Sequence, residues 1–190
     1  MLIKSKSGKN KHKSAKMQNQ HIIHIRPMSI SDYEAVAHLW AHIEGFYIRS
    51  VDDSREGIER FLKRNPNLSV VAEMSGKKDR QEGDLVLEDF ALKSSKPKIV
   101  GSILCGHDGR YGSIYHACVH KDFRLQGIGK SMVAYALDGF KRECITSIAL
   151  IAFSENLIGN AFWKTQGWDL RTNANRYELS LNTQNTVTKI

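Results

Sequence analysis

A chain of 190 residues with 41% apolar and 25% charged residues has room for one packed domain and no obvious second one. Its formal net charge of +8 would suggest a nucleic-acid partner if it were spread over the fold. Six lysines (Lys4, Lys6, Lys9, Lys11, Lys13 and Lys16) instead crowd the N-terminus ahead of the first acid, Asp32, so the rest is nearly neutral and nucleic acid is not expected on the domain.

Residues 1–20, rich in Lys, Ser, Asn and Gln, are expected to form a disordered basic tail, without the apolar stretch of a secretory signal. Ile22-Ile23-His24-Ile25-Arg26-Pro27 reads as a first strand, and Ser29-Ile30-Ser31-Asp32 as the capped start of a helix carrying Leu39 and Trp40. His38 and His42 share that helix at i, i+4, but no third ligand accompanies them, so they read as structural and no metal is expected. Asp52-Asp53-Ser54-Arg55-Glu56 leads into Ile58, Phe61 and Leu62, a second capped helix that stops near Asn65-Pro66-Asn67.

A strand is expected over 68–74, an extended hairpin excursion over 75–97 and a strand from Ile99 to Leu104. The turn Asp108-Gly109-Arg110-Tyr111-Gly112 joins it to Ile114-Tyr115-His116-Ala117-Cys118-Val119, short, apolar and suited to a buried strand. After it come Arg124-Leu125-Gln126-Gly127-Ile128-Gly129-Lys130 and a helix whose stripe holds Ile128, Met132, Val133, Ala136, Leu137 and Phe140. The strand Ile148 to Phe153 is the longest apolar run and cannot span a bilayer, so no membrane segment is expected. Ser154 and Asn156 are capping types before a helix that packs through Ala161, Phe162 and Trp163 and ends at Gly167. A last strand is expected over 176–181, with 182–190 as a C-terminal tail. Cys105, Cys118 and Cys144 lack metal or redox spacing and fall in apolar stretches, which reads as buried hydrophobes in a reducing compartment, with cytoplasm as the expected location.

The order strand, glycine turn, helix carries the chemistry. The first four N–H groups of a helix have no partner inside it, and the macrodipole adds partial positive charge, so an anion is favoured there. Gly127 and Gly129 allow a tight turn and close approach to the backbone, with Arg124 and Lys130 as flanking cations. A Walker loop is excluded because Arg124 stands where its first Gly belongs, and the dinucleotide fingerprint because its third Gly is missing. What remains, Arg-x-x-Gly-x-Gly after the strand Val119-His120-Lys121-Asp122-Phe123, resembles the acyl-CoA loop of the GNAT superfamily of N-acetyltransferases. Glu155 to Trp168, an Asn opening a helix that ends in Gly and an aromatic residue, resembles the family's later motif at matching spacing.

The resemblance covers residues 21–181 and implies a single N-acetyltransferase domain of α+β class, a mixed, mostly antiparallel sheet with helices on both faces. It implies acetyl-CoA as co-substrate and an amine of a small molecule or protein as acceptor, with a homodimer as one assembly. By the same resemblance, backbone groups of Ala117, Cys118 and Val119 would bond the pantetheine arm. Amides of Leu125, Gln126, Gly127, Ile128, Gly129 and Lys130, with Arg124, would hold the pyrophosphate, Asn156 would face the pantetheine or thiol end, and Trp163 would pack on the cofactor. A charged amine must lose a proton before it attacks; His116 is the candidate base, Tyr115 lies on the opposite side of the strand, and Glu44 and Asp52 are alternative carboxylates. His116 and Tyr115 also read as packed strand residues with a satisfied polar tip. The chain departs from common family patterns twice: Trp163 stands where many members have a Tyr, and Ile151 where relatives of the ribosomal-protein acetylase have a Glu. Those departures leave open a catalytically silent acyl-CoA-binding protein, and the tail leaves open a ribosome- or RNA-associated one.

Overall fold

The computed structural model describes residues 22–75 and 98–190. The expected basic tail, and the excursion beyond Ser75, lie outside these residues. Five strands form the main sheet in the order β1-β3-β4-β5-β6: β1 (Ile22–Pro27), β3 (Val70–Ser75), β4 (Lys98–His107), β5 (Gly112–Val119) and β6 (Ile148–Leu150). All pairs are antiparallel except β5 with β6. Two short strands, β2 (Tyr47–Arg49) and β7 (Val187–Lys189), pair separately.

The helices cover both faces. On one, α1 (Tyr33–Trp40) and α2 (Arg55–Arg64) bury Val36, Leu39, Trp40 and Ile58 against Val71, Leu104 and Cys118. On the other, α3 (Ile128–Arg142) buries Met132, Val133, Ala136 and Phe140 against Val70, Val100, Ile103 and Ile114, with α4 (Leu157–Thr165) contributing Phe162 and Trp163. The α+β architecture is the expected one, because the helical stripes and strand patterns in the sequence are those that a two-faced sheet buries. No helix among the described residues is long and apolar enough to cross a membrane.

Helix starts follow local chemistry. Arg26 makes a bidentate pair with Asp32 (2.8 Å to each oxygen), tying β1 to the first turn, and Ser29 donates its N–H to the same carboxylate. Burial pushes the Asp32 carboxyl up, but the bonds from Arg26 and Ser29 outweigh it and hold it below the usual carboxylate range. The α2 and α4 amides are capped by side chains, Ser54 accepting from Gly57 and Asn156 from Gly159. At the end of α4, Trp168 N–H bonds to Trp163 O and Gly167 N–H to Lys164 O with Gly167 at φ +81°, so the expected C-cap glycine closes a Schellman turn.

Four expectations are corrected. Residues 176–181 form no strand; no neighbour among the described residues offers them a ladder, and Tyr177, Leu179 and Leu181 are exposed. The pairing falls on 187–189 instead, inside the stretch expected as a tail. The strand before the glycine turn stops at Val119, and Lys121–Phe123 is a single 3-10 turn. The 148–153 strand shortens to three residues because it parts from β5 beyond Leu150. Cys144 is exposed rather than buried: it takes the left-handed position just past the C-cap Glu143 of α3, at φ +59°, and Ile145 turns into the core in its place.

Candidate active site

β5 and β6 pair only at Gly112↔Ile148, Ser113↔Ala149 and Ile114↔Leu150, then separate into a cleft. Beyond that point β5 keeps one neighbour among the described residues, β4. His120 donates its N–H to Val100 O and Cys118 pairs with Ser102, so strand alternation turns the backbone groups of Ala117 and Val119 toward the cleft. Of the three residues expected along the pantetheine, Cys118 is the exception, since its backbone faces β4. Burial pushes its thiol up to about 11, and its sulfur lies 3.5 Å from Ser102 Oγ.

At the mouth of the cleft, α3 begins without a side-chain cap. Its N-cap is Gly127 at φ +80°, and Leu125 two residues earlier is also left-handed at φ +60°. Among the described residues, no acceptor takes the N–H groups of Leu125 through Lys130; the first bonded amide is Ser131, to Gly127 O. Successive free amides in such a turn form a concave anion site, reinforced by the macrodipole of a 15-residue helix. The two glycines have different reasons. A side chain at Gly127 would meet nothing within 4 Å, so only its φ demands glycine, whereas a Cβ on Gly129 would lie 3.3 Å from the Phe162 ring of α4. Arg124 braces the turn by donating Nε to Val119 O, and Gln126 donates to Asp122 O. Ile128 is buried and anchors the helix start, while Leu125 and Lys130 are exposed. Asn156 uses Oδ1 to cap α4, 2.8 Å from Gly159 N, leaving Nδ2 without a partner among the described residues. A Cβ on Gly159 would sit 2.5 Å from that amide nitrogen, which explains the glycine. Trp163 packs edge-on to Phe162 and Trp168, at 5.0 and 5.1 Å between ring centres.

The opposite side of β5 holds the titratable pair. Between Ser102↔Cys118 and Leu104↔Tyr115, two β5 residues, His116 and Ala117, face the single residue Ile103. This is a bulge, with His116 at φ +46°, a region costly for a residue with a Cβ. The extra residue breaks strand alternation and corrects the expectation that Tyr115 and His116 lie on opposite sides. His116 packs against Trp40 (4.7 Å) and Phe46 (5.3 Å), and Tyr115 against Phe61 of α2, all on the α1/α2 face.

His116 Nε2 lies 2.8 Å from Asp53 Oδ1, and both side chains are largely buried. Asp53 Oδ2 accepts from Arg49 N at 2.7 Å, and Tyr33 donates its hydroxyl to Asp53 O. An ionised carboxylate can only accept a hydrogen bond, which assigns the hydrogen to Nε2 and leaves the lone pair of Nδ1 without a partner among the described residues. Asp52, expected as an alternative base, does not face His116 in this pairing; its Oδ2 is occupied by Asn185 Nδ2 at 2.6 Å. Glu44 is exposed and has no hydrogen-bond partner among the described residues. The signal that singles out Asp53 is its place just before the N-cap Ser54, where the turn folds its carboxylate back onto Arg49.

The family model for the acetyltransferase (GNAT) family matches residues 58–168. The chain belongs to the GNAT family. Its sequence is 34% identical over 110 residues to "Acetyltransferase YE1169" of Yersinia enterocolitica and to "Acetyltransferase ECA0875" of Pectobacterium atrosepticum, in each case over 58% of this chain and 62% of the relative. The chain thus spans less than two thirds of these relatives' length. Solved structures share the fold: Ard1 from Thermoplasma volcanium (TM-score 0.58, 18% identity, 79% of this chain and 84% of that one) and the aminoglycoside N-acetyltransferase AAC(6')-Iy in complex with CoA (TM-score 0.58, 15% identity, 84% and 96%). The matched stretch holds the cleft, the uncapped helix start and His116, while Asp53 and Phe46 lie outside it.

Proposed function

We propose that this GNAT-family protein is an acetyl-CoA-dependent N-acetyltransferase that acylates a primary amine of a small molecule or protein by direct attack. The observation that carries this reading is the run of amides from Leu125 to Lys130, without acceptors among the described residues, at the mouth of the β5–β6 cleft. The diphosphate of the co-substrate would lie on those amides, with the pantetheine along Ala117 and Val119 and Asn156 Nδ2 facing its thiol end. His116 would take the ammonium proton of the acceptor on Nδ1, with Asp53 holding the ring and stabilising the imidazolium. The neutral amine attacks the thioester carbonyl, the C–S bond breaks, and the proton shed by the new amide nitrogen reaches the departing thiolate through water, since the indole of Trp163 has none to give at neutral pH.

Direct attack rather than an acyl-enzyme is supported by the cysteines. Burial raises both Cys118 and Cys105 and so disfavours a thiolate at either, and exposed Cys144 lies past the far end of α3. The buried, oriented His116–Asp53 pair favours an enzyme over a silent acyl-CoA-binding protein. The test is to incubate the purified protein with labelled acetyl-CoA and fractionated host metabolites and proteins. Thiol release with transfer to an amine supports the reading; binding of acetyl-CoA without turnover on any fraction supports the silent module, and no association at millimolar concentration rejects both.

A further inference from the structure

The C-terminal seven residues are built into the wall behind the His116–Asp53 pair. β7 pairs with β2 in the register Tyr47↔Lys189, Ile48↔Thr188 and Arg49↔Val187, and Ile190 exchanges backbone bonds with Gly45 and Phe46. Further along, Ser50 N–H bonds to Thr186 O, and Ser50 Oγ donates to Gln184 O. Asn185 closes the far end: its Oδ1 accepts from Val51 N (3.0 Å) and Asp52 N (3.3 Å), and its Nδ2 donates to Asp52 Oδ2 (2.6 Å). Only one orientation of the amide satisfies all three bonds. The two ends of segment 45–53 carry the groups that hold His116, Phe46 against its ring and Asp53 on Nε2. The carboxylate of Asp53 is itself aimed by the N–H of Arg49, a β2 residue.

We infer that Asn185 is a positioning residue: it clamps the 51–53 turn so that Asp53 meets His116 Nε2. This rests on the reading of His116 as the base. Asparagine is needed because this position accepts two backbone N–H groups and donates to a carboxylate at once. An aspartate at 185 would set two carboxylates against each other, and the turn would open.

The test compares the full-length protein with Asn185→Asp and with the double swap Asp52→Asn plus Asn185→Asp. The swap restores all three bonds: the N–H groups of residues 51 and 52 still donate to the side chain at 185, and only the side-chain pair exchanges donor and acceptor. Imidazole nitrogen NMR reads the tautomer of His116, and steady-state kinetics separate kcat from KM for acetyl-CoA. The native protein should show the Nε2–H tautomer. Asn185→Asp should mix the tautomers and lower kcat by about tenfold or more with KM for acetyl-CoA within about twofold, and the swap should recover both signals. If the tautomer responds while kcat does not, the positioning holds and His116 is not the base. If Asn185→Asp leaves the His116 signal unchanged, or the swap fails to restore it, the inference is overturned. A thermal melt of each variant accompanies the comparison, and loss of folding in Asn185→Asp leaves the decision to the swap.

Discussion

The amide cradle follows the end of β5 and the His116–Asp53 pocket is carried on it, and the two are built in opposite ways. In the cradle, the bracing contacts are local: Arg124 reaches Val119, Gln126 reaches Asp122 and Asn156 reaches Gly159. In the pocket, His116 meets a carboxylate 63 positions away, and Asn185 reaches back 133 positions to the turn beside it. The cradle lies wholly within the stretch that matches the family, whereas the residues around His116 come largely from outside it. On the proposed function, a cradle inside the family-matched stretch would bind the cofactor and a pocket assembled by long-range packing would handle the proton, and the two should fail independently.

The sharpest way to break that division is His116→Ala, which should lower kcat by about 10² to 10⁴ while leaving the Kd for acetyl-CoA within about twofold. A comparable loss of cofactor affinity in a calorimetric titration would show that the two regions are one. The reciprocal change is Gly127→Val. With φ at +80°, a β-branched side chain costs about 1–2 kcal/mol there, so KM for acetyl-CoA should rise about tenfold with saturated kcat nearly unchanged. Unaltered KM would remove Gly127 from the cradle.

Trp163→Phe should stay within about tenfold of native turnover, since the indole packs between Phe162 and Trp168; a thousandfold loss would give the ring a chemical role. The smallest effect concerns the scaffold both regions share. Because Asp32 is held below its ordinary value in the folded state, its contribution is complete above the usual carboxylate range and fades as pH falls through the depressed folded value. Asp32→Asn should therefore flatten the acid limb of the stability curve and leave its neutral-to-alkaline limb parallel to the native one. An unchanged acid limb in pH-dependent urea melts would contradict the Arg26–Asp32 clamp.

What could be read from the chain follows the same division. Gly127, Asn156 and Gly167 act through backbone angles and caps within a few residues of themselves, so their roles were legible along with the helical stripes and the sheet. His116 was legible as a titratable group, but its direction was not: strict alternation separates it from Tyr115, and only the bulge opposite Ile103 brings both to one face. The place of Asp53 just before the N-cap Ser54 is local, but that its carboxylate meets His116 depends on packing 63 positions apart, which no local pattern encodes. The alternation Tyr177, Leu179, Leu181 suggested a strand more strongly than Val187 to Lys189 did, yet a strand needs a partner edge, and β2 pairs with the latter.

The most direct measurement is an amide ¹H–¹⁵N titration of the protein with coenzyme A. The largest shifts are expected at the backbone amides from Leu125 to Lys130, with Ala117 and Val119 following. Saturable binding that leaves those amides unmoved and perturbs another part of the molecule would contradict the account.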